Sequence, residues 1–127
     1  MDEIHLMNAL SQIAKVSAKD CIVDSNMITF LVKEEDVGKA IGKKAVNVKA
    51  LQDKLKKRIE IIGYQKEPEN VVSKAFGIEV LSVKNDGKKL ILGMNSENRR
   101  KIMANGAKVK KMKRLIERNF EKELILR

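Results

Sequence analysis

Adding 61 to a residue number in the first half of this 127-residue chain lands on a residue of like character in the second. Leu10 and Val71, Ala14 and Ala75, Leu31 and Leu92, Ile41 and Ile102, Val48 and Val109, Leu51 and Met112, Leu55 and Ile116, and Ile59 and Phe120 are such pairs. Few are identical. What recurs is apolar spacing, which predicts two copies of one unit of roughly 60 residues, near the lower size at which a domain folds alone. The triplet Asp24-Ser25-Asn26 falls on Asn85-Asp86-Gly87 at the same offset and predicts a turn in each copy. The boundaries expected are residues 1–64 and 65–127, with a linker drawn from 63–69 that holds the single proline and is too short to keep the units far apart.

Within a copy the periodicity changes in a fixed order. Ile4, Met7, Leu10, Ile13 and Ala14 predict an amphipathic helix over 3–15, and its counterpart opens at Pro68, buries Val71, Val72, Ala75 and Phe76, and stops at Gly77. Strands are expected over 20–23 and 27–33 and again over 78–83 and 88–94, each pair a hairpin. Glu35-Asp36 and Ser96-Glu97 supply N-cap and first-turn acids for a short helix that ends near Ile41 or Ile102. A longer helix follows, over 46–57 and 107–119, and a last strand over 59–62 and 123–126. The order is α-β-β-α-α-β, twice.

Charge is segregated along this repeat. Lys39 to Arg58 holds eight basic residues against Asp53, and Arg99 to Arg118 holds nine against Glu117. The two stretches therefore carry +7 and +8 in a chain whose total is +10, and everything else nets to −5. Both fall at the same place in the repeat, as expected of a surface that meets phosphates. One tyrosine, three phenylalanines and no tryptophan argue against an aromatic stacking platform.

Other chemistry finds little support. His5 has no second His or Cys with which to build a metal site or nucleophile pair, and no P-loop or dinucleotide fingerprint is present, so a non-enzymatic protein without cofactor or metal is expected. The single cysteine, Cys21, reads as a small core residue in a strand. No segment is apolar enough to span a bilayer, and the acidic start Met1-Asp2-Glu3 is unlike a cleavable signal, so no membrane partner and a cytoplasmic location are expected. The methionines at 7, 94, 103 and 112 read as core filler or loop, and Gly38, inside a helix, as a residue that permits close packing.

Between the two central helices the first copy reads Val37-Gly38-Lys39-Ala40-Ile41-Gly42-Lys43-Lys44-Ala45-Val46-Asn47-Val48-Lys49. This resembles the I-G-x-x-G signature of KH RNA-binding domains, and the helix-first order resembles the type II form of that family. Tandem type II units on a short linker resemble the archaeal NusA-like proteins, over nearly the whole chain. The resemblance implies an α+β fold of two tandem type II KH units, each a three-stranded mixed sheet packed by helices. It also implies a single-stranded RNA-binding protein acting in transcription termination, antitermination or elongation, with RNA polymerase or the ribosome as a further partner. In the family such a loop clamps the backbone of about four nucleotides. Glycine lets the chain press against sugar and phosphate, and the following helix N-terminus favours the negative charge.

By resemblance, Gly42, Lys43 and Lys44 form the clamp, Lys39 flanks it, Asn47 and Lys49 face the nucleic acid, and Val46 or Ile41 lines the groove. Ala45 stands where the family has its second glycine. The second copy, Met103-Ala104-Asn105-Gly106, lacks the first glycine and the basic pair; Arg99, Arg100, Lys101, Lys108, Lys110 and Lys111 surround it, and the second unit is expected to hold RNA mainly by charge. Two other readings stay open: a duplex DNA binder resembling helix-turn-helix, and a protein adaptor on polymerase or ribosome with vestigial RNA binding.

Overall fold

Helix α1 (Glu3–Ala14) starts where the Asp2 carboxylate accepts the His5 N–H at 2.8 Å, and it stops where Lys15 turns left-handed. Its buried face is Leu6, Ala9, Leu10 and Ala14; Ile4, expected on that face, is 70% exposed. Strands β1 (Ala18–Val23) and β2 (Met27–Lys33) form an antiparallel hairpin, and α2 (Val37–Ile41) and α3 (Val46–Leu55) lead into β3 (Arg58–Tyr64), which runs parallel to β2. The sheet order is β1-β2-β3, so β2 is central, and its Ile28, Phe30 and Val32 meet Leu6, Leu10, Cys21, Leu51 and Leu55 in one core. Burying a side chain of that size contributes roughly 1.5–3 kcal/mol. Cys21 is a core residue.

The second unit repeats the plan. Helices α4 (Pro68–Phe76), α5 (Ser96–Met103) and α6 (Gly106–Phe120) accompany strands β4 (Ser82–Asp86), β5 (Lys89–Gly93) and β6 (Glu123–Leu126). Again the first two strands are antiparallel and the last pairs in parallel. Val71, Val72, Leu90, Leu92, Met112, Leu115, Ile116 and Leu124 are buried. The chain is thus an α+β protein of two tandem α-β-β-α-α-β units, dividing as Met1–Gln65 and Lys66–Arg127. The computed structural model describes residues 2–24 and 26–127, so Ser25 of the expected first turn lies outside the described residues.

Three local expectations are corrected. The strand expected over 78–83 begins only at Ser82, because the Ile78 backbone is tied to the end of α4: its N–H donates to the Ser73 carbonyl at 3.0 Å and its carbonyl accepts from the Ser73 hydroxyl at 2.6 Å. The hairpin turn is Gly87-Lys88, since Asn85 and Asp86 still pair with Leu90 and Lys89. The cap of α5 is Asn95, whose Oδ1 accepts the Asn98 N–H at 2.8 Å, and α2 has no side-chain cap. The offset of 61 also ends inside α6. Leu31 pairs with Ile62 and Leu92 with Leu126, so the last strands are 64 apart, α6 holds about one extra turn, and Ile59 and Phe120 are not equivalent.

Candidate nucleic-acid interface

Helix α2 ends because Gly42 adopts φ 80°, ψ 165°, a conformation essentially reserved for glycine; its N–H still donates to the Gly38 carbonyl at 2.9 Å. A 3-10 turn over Lys43–Ala45 follows, in which the Ala45 N–H donates to the Gly42 carbonyl at 3.0 Å. Lys44 (φ 53°) and Ala45 (φ 61°) are both left-handed although each carries a Cβ. Such conformations cost roughly 1–2 kcal/mol per residue and persist where neighbours enforce them. The enforcing neighbour is Asn47, whose amide donates to the Lys39 carbonyl at 2.9 Å and ties the first turn of α3 back to α2. A Cβ at Gly42 would stand 2.9 Å from Asn47 Nδ2 and Val46 Cγ1, both side-chain atoms that could shift, so it is the φ of 80° that strains any other residue here.

No side chain caps α3; Ala45 occupies the N-cap position. The positive end of the helix therefore has no side-chain acceptor against it, which favours an external anion. Lys39, Lys43, Lys44 and Lys49 are exposed around it, and Val46 is 56% exposed beside them. Asn47 is half-buried, with its amide engaged by the Lys39 carbonyl. Gly38 is corrected: nothing lies within 4 Å of where its Cβ would be. It does not serve packing. It leaves bare the face of α2 that it shares with Gly42, four residues on.

The second loop is built differently. Ala104 continues right-handed beyond α5, and Asn105 caps α6 by accepting the Lys108 N–H at 3.2 Å. The helix end that is open in the first unit is here occupied by the chain's own amide. Arg99, Arg100, Lys101 and Lys110 are exposed, as are Asn105 and Gly106. Two of the lysines expected around this loop are engaged within the fold. Lys108 donates to the Ala75 carbonyl at 2.6 Å and lies 5.1 Å from the centre of the Phe76 ring, joining α6 to the end of α4. Lys111 is 6% exposed, because Leu115 one turn on places it on the buried side of α6.

A groove of about 420 Å³ runs beside this loop, with Met103, Val109, Lys113 and Glu117 on one wall and Glu123 to Leu126 on the other. Met103, expected as core filler or loop, is 49% exposed on that wall, at the position where the first loop has Gly42. In the sequence, Lys113 is marked only by its i, i+4 spacing from Val109, and nothing marks the β6 residues as groove lining. His5 is exposed, and among the described residues no group of three His, Cys, Asp or Glu side chains is placed to hold a metal. No helix among them is long and apolar enough to cross a membrane.

The chain as a whole has counterparts among known proteins. Over 91% of this chain it is 30% identical to a probable transcription termination protein NusA of Methanocaldococcus jannaschii, covering 74% of that protein. A probable transcription termination protein NusA of Methanococcus vannielii is 29% identical over 91% of this chain and 69% of its own length. The crystal structure of APE1850 superposes with a TM-score of 0.83 at 28% identity, over 98% of this chain and 97% of that one. The family model for the KH domain matches residues 5–88, from α1 through the first loop to the second hairpin, and the chain belongs to the KH domain family.

Proposed function

We propose that this chain is a non-enzymatic, single-stranded RNA-binding protein acting as a NusA-like factor in transcription termination, antitermination or elongation. The observation that carries the reading is the loop over 42–45. It combines a glycine-only turn, two strained left-handed residues held by Asn47, an N-terminus of α3 without a side-chain cap and four exposed lysines. A backbone phosphate supplies what this loop lacks, an anion at the helix end, and the lysines hold it there. Membership of the KH family and similarity to two proteins named for transcription termination support the same reading. RNA polymerase is the partner that this role implies.

Competition between single-stranded RNA, duplex RNA and duplex DNA at one salt concentration tests it. Single-stranded RNA is expected to win, with a slope of log K against log salt of roughly −3 to −6 for about four to eight neutralised phosphates. Preference for duplex DNA would favour a helix-turn-helix mode, and a flat salt response with no preference would favour the adaptor reading.

A further inference from the structure

At the far end of α3 from the clamp loop, the chain builds a second concavity. Asn26 from the β1–β2 hairpin, Gln52 and Lys56 from the end of α3, Lys57, and Arg58 at the start of β3 line a shallow, open depression of about 580 Å³. Three consecutive cations and no acid line it. Lys56 projects from a left-handed C-cap (φ 59°), with its N–H donating to the Gln52 carbonyl at 2.8 Å. Lys57 Nζ donates to the Asp24 carbonyl at 3.2 Å, so Lys57 fixes the hairpin. The Asp24 carboxylate is engaged with the hairpin backbone, accepting the N–H groups of Asn26 at 3.0 Å and Met27 at 2.9 Å. Lys56 and Arg58 are exposed.

The plain reading is that cations gather at a helix C-terminus to balance its dipole. That end carries roughly half a negative charge, which three cations exceed several-fold. The second unit shows that the fold does not require them. In the matching place, between Gly87-Lys88, the end of α6 and the start of β6, the lining holds Glu117, Glu121 and Glu123 against Lys88 and Lys122. The C-cap is Lys56 in one unit and Glu121 in the other. The basic pocket is therefore a property of the first unit, not of its architecture.

We propose that this pocket is a second phosphate site for the same RNA strand, with Lys56 and Arg58 as its ligands and Gln52 and Asn26 as neutral hydrogen-bonding neighbours. This rests on the RNA-binding reading above. The ten residues of α3 separate the pocket from the clamp loop by roughly 15 Å. A loop that holds about four nucleotides leaves the pocket to phosphates further along the strand. The site thus lengthens the footprint of the first unit and makes affinity depend on RNA length.

The test compares the intact chain with its Lys56→Gln/Arg58→Gln variant, using single-stranded RNAs of about 4 and about 12 nucleotides across a salt series. Both side chains are exposed and Lys57 is kept, so circular dichroism and melting temperature should be unchanged. The longer RNA is expected to weaken roughly tenfold, with a salt slope shallower by about 1.4, while the shorter RNA changes by less than about twofold. Lys56→Arg/Arg58→Lys, which keeps both charges, should bind like the parent. Equal affinity of parent and Gln variant for the longer RNA overturns the proposal, as does an equal loss at both lengths, which would mark a general charge effect. If the parent binds neither RNA, the RNA-binding reading fails and this site with it; if it binds both, only the site is at stake.

Discussion

The two inter-helix loops descend from one pattern and satisfy the same helix end in opposite ways. In the first unit Gly42, Lys44 and Ala45 hold positive φ, and no side chain caps α3; in the second, the connection stays on the right-handed and extended side and Asn105 caps α6. A cap such as Asn105 typically contributes about 1 kcal/mol. The first loop forgoes that and carries strain besides, the expected trade when a helix N-terminus is kept for a ligand. Charge count misleads here: the second stretch is the more basic, yet Lys108 and Lys111 are committed to the fold.

The largest expected effect separates the loops directly. Replacing Lys43 and Lys44 by Asp puts two anions where a phosphate should sit, and single-stranded RNA affinity should fall at least a hundredfold at constant salt, with an unchanged circular dichroism spectrum because both side chains are exposed. The matching change in the second unit, Arg100→Asp with Lys101→Asp, should cost only about tenfold, from lost general attraction. Equal losses in the two variants would abolish the distinction between clamp and charged surface.

Next comes the brace. Asn47→Ala removes the hydrogen bond to the Lys39 carbonyl, worth about 0.5–1.5 kcal/mol of stability, and frees the left-handed turn to relax. Affinity should drop about tenfold although Asn47 need not touch RNA, and the salt slope should stay as it was, since no phosphate contact is removed. A changed slope would make Asn47 a direct ligand instead.

How much of this was legible follows from what each residue reports. The loop over 42–45 was readable because Gly42 and the lysines are local signals, and strand β2 was readable because Ile28, Phe30 and Val32 alternate. Strand β4 was misplaced since Ile78-Glu79-Val80 alternates equally well; its Ser73 hydrogen bonds are tertiary. The burial of Lys111 was not legible because sequence charge does not say which lysine a helix turns inward, and a lysine stem covers apolar surface as readily as a methionine does. The extra turn in α6 was invisible to a fixed offset. Asn105 falls in the loop that matches the first clamp, yet an Asn before a helix is first of all a cap.

Uncapping the second loop is the converse experiment. Asn105→Gly removes the competing acceptor at a stability cost of a few tenths of a kcal/mol and leaves the α6 N-terminus open beside Arg100 and Lys101. RNA affinity should rise about threefold, measured in the Lys43→Asp/Lys44→Asp background where the first loop is silent. No gain there would mean that the cap is not what keeps the second loop from acting as a clamp.

The smallest effect on binding is expected at Ala45, and it isolates strain from contact. Ala45 sits at φ 61°, ψ 27° with a Cβ. Glycine there removes a cost of roughly 1–2 kcal/mol, partly offset by about 0.5–1 kcal/mol for the greater freedom of the unfolded chain. The net stabilisation is roughly 0–1.5 kcal/mol, a rise of up to about 10 °C in the melting temperature of a unit this size. Since Asn47, Gly42 and the four lysines are untouched, RNA affinity should move by less than about twofold. Thermal melts and RNA titrations of the single variant check both halves. A large gain in affinity would show that the alanine methyl obstructs the nearest phosphate, and a loss of stability would show that the left-handed geometry is held by something other than the Asn47 brace.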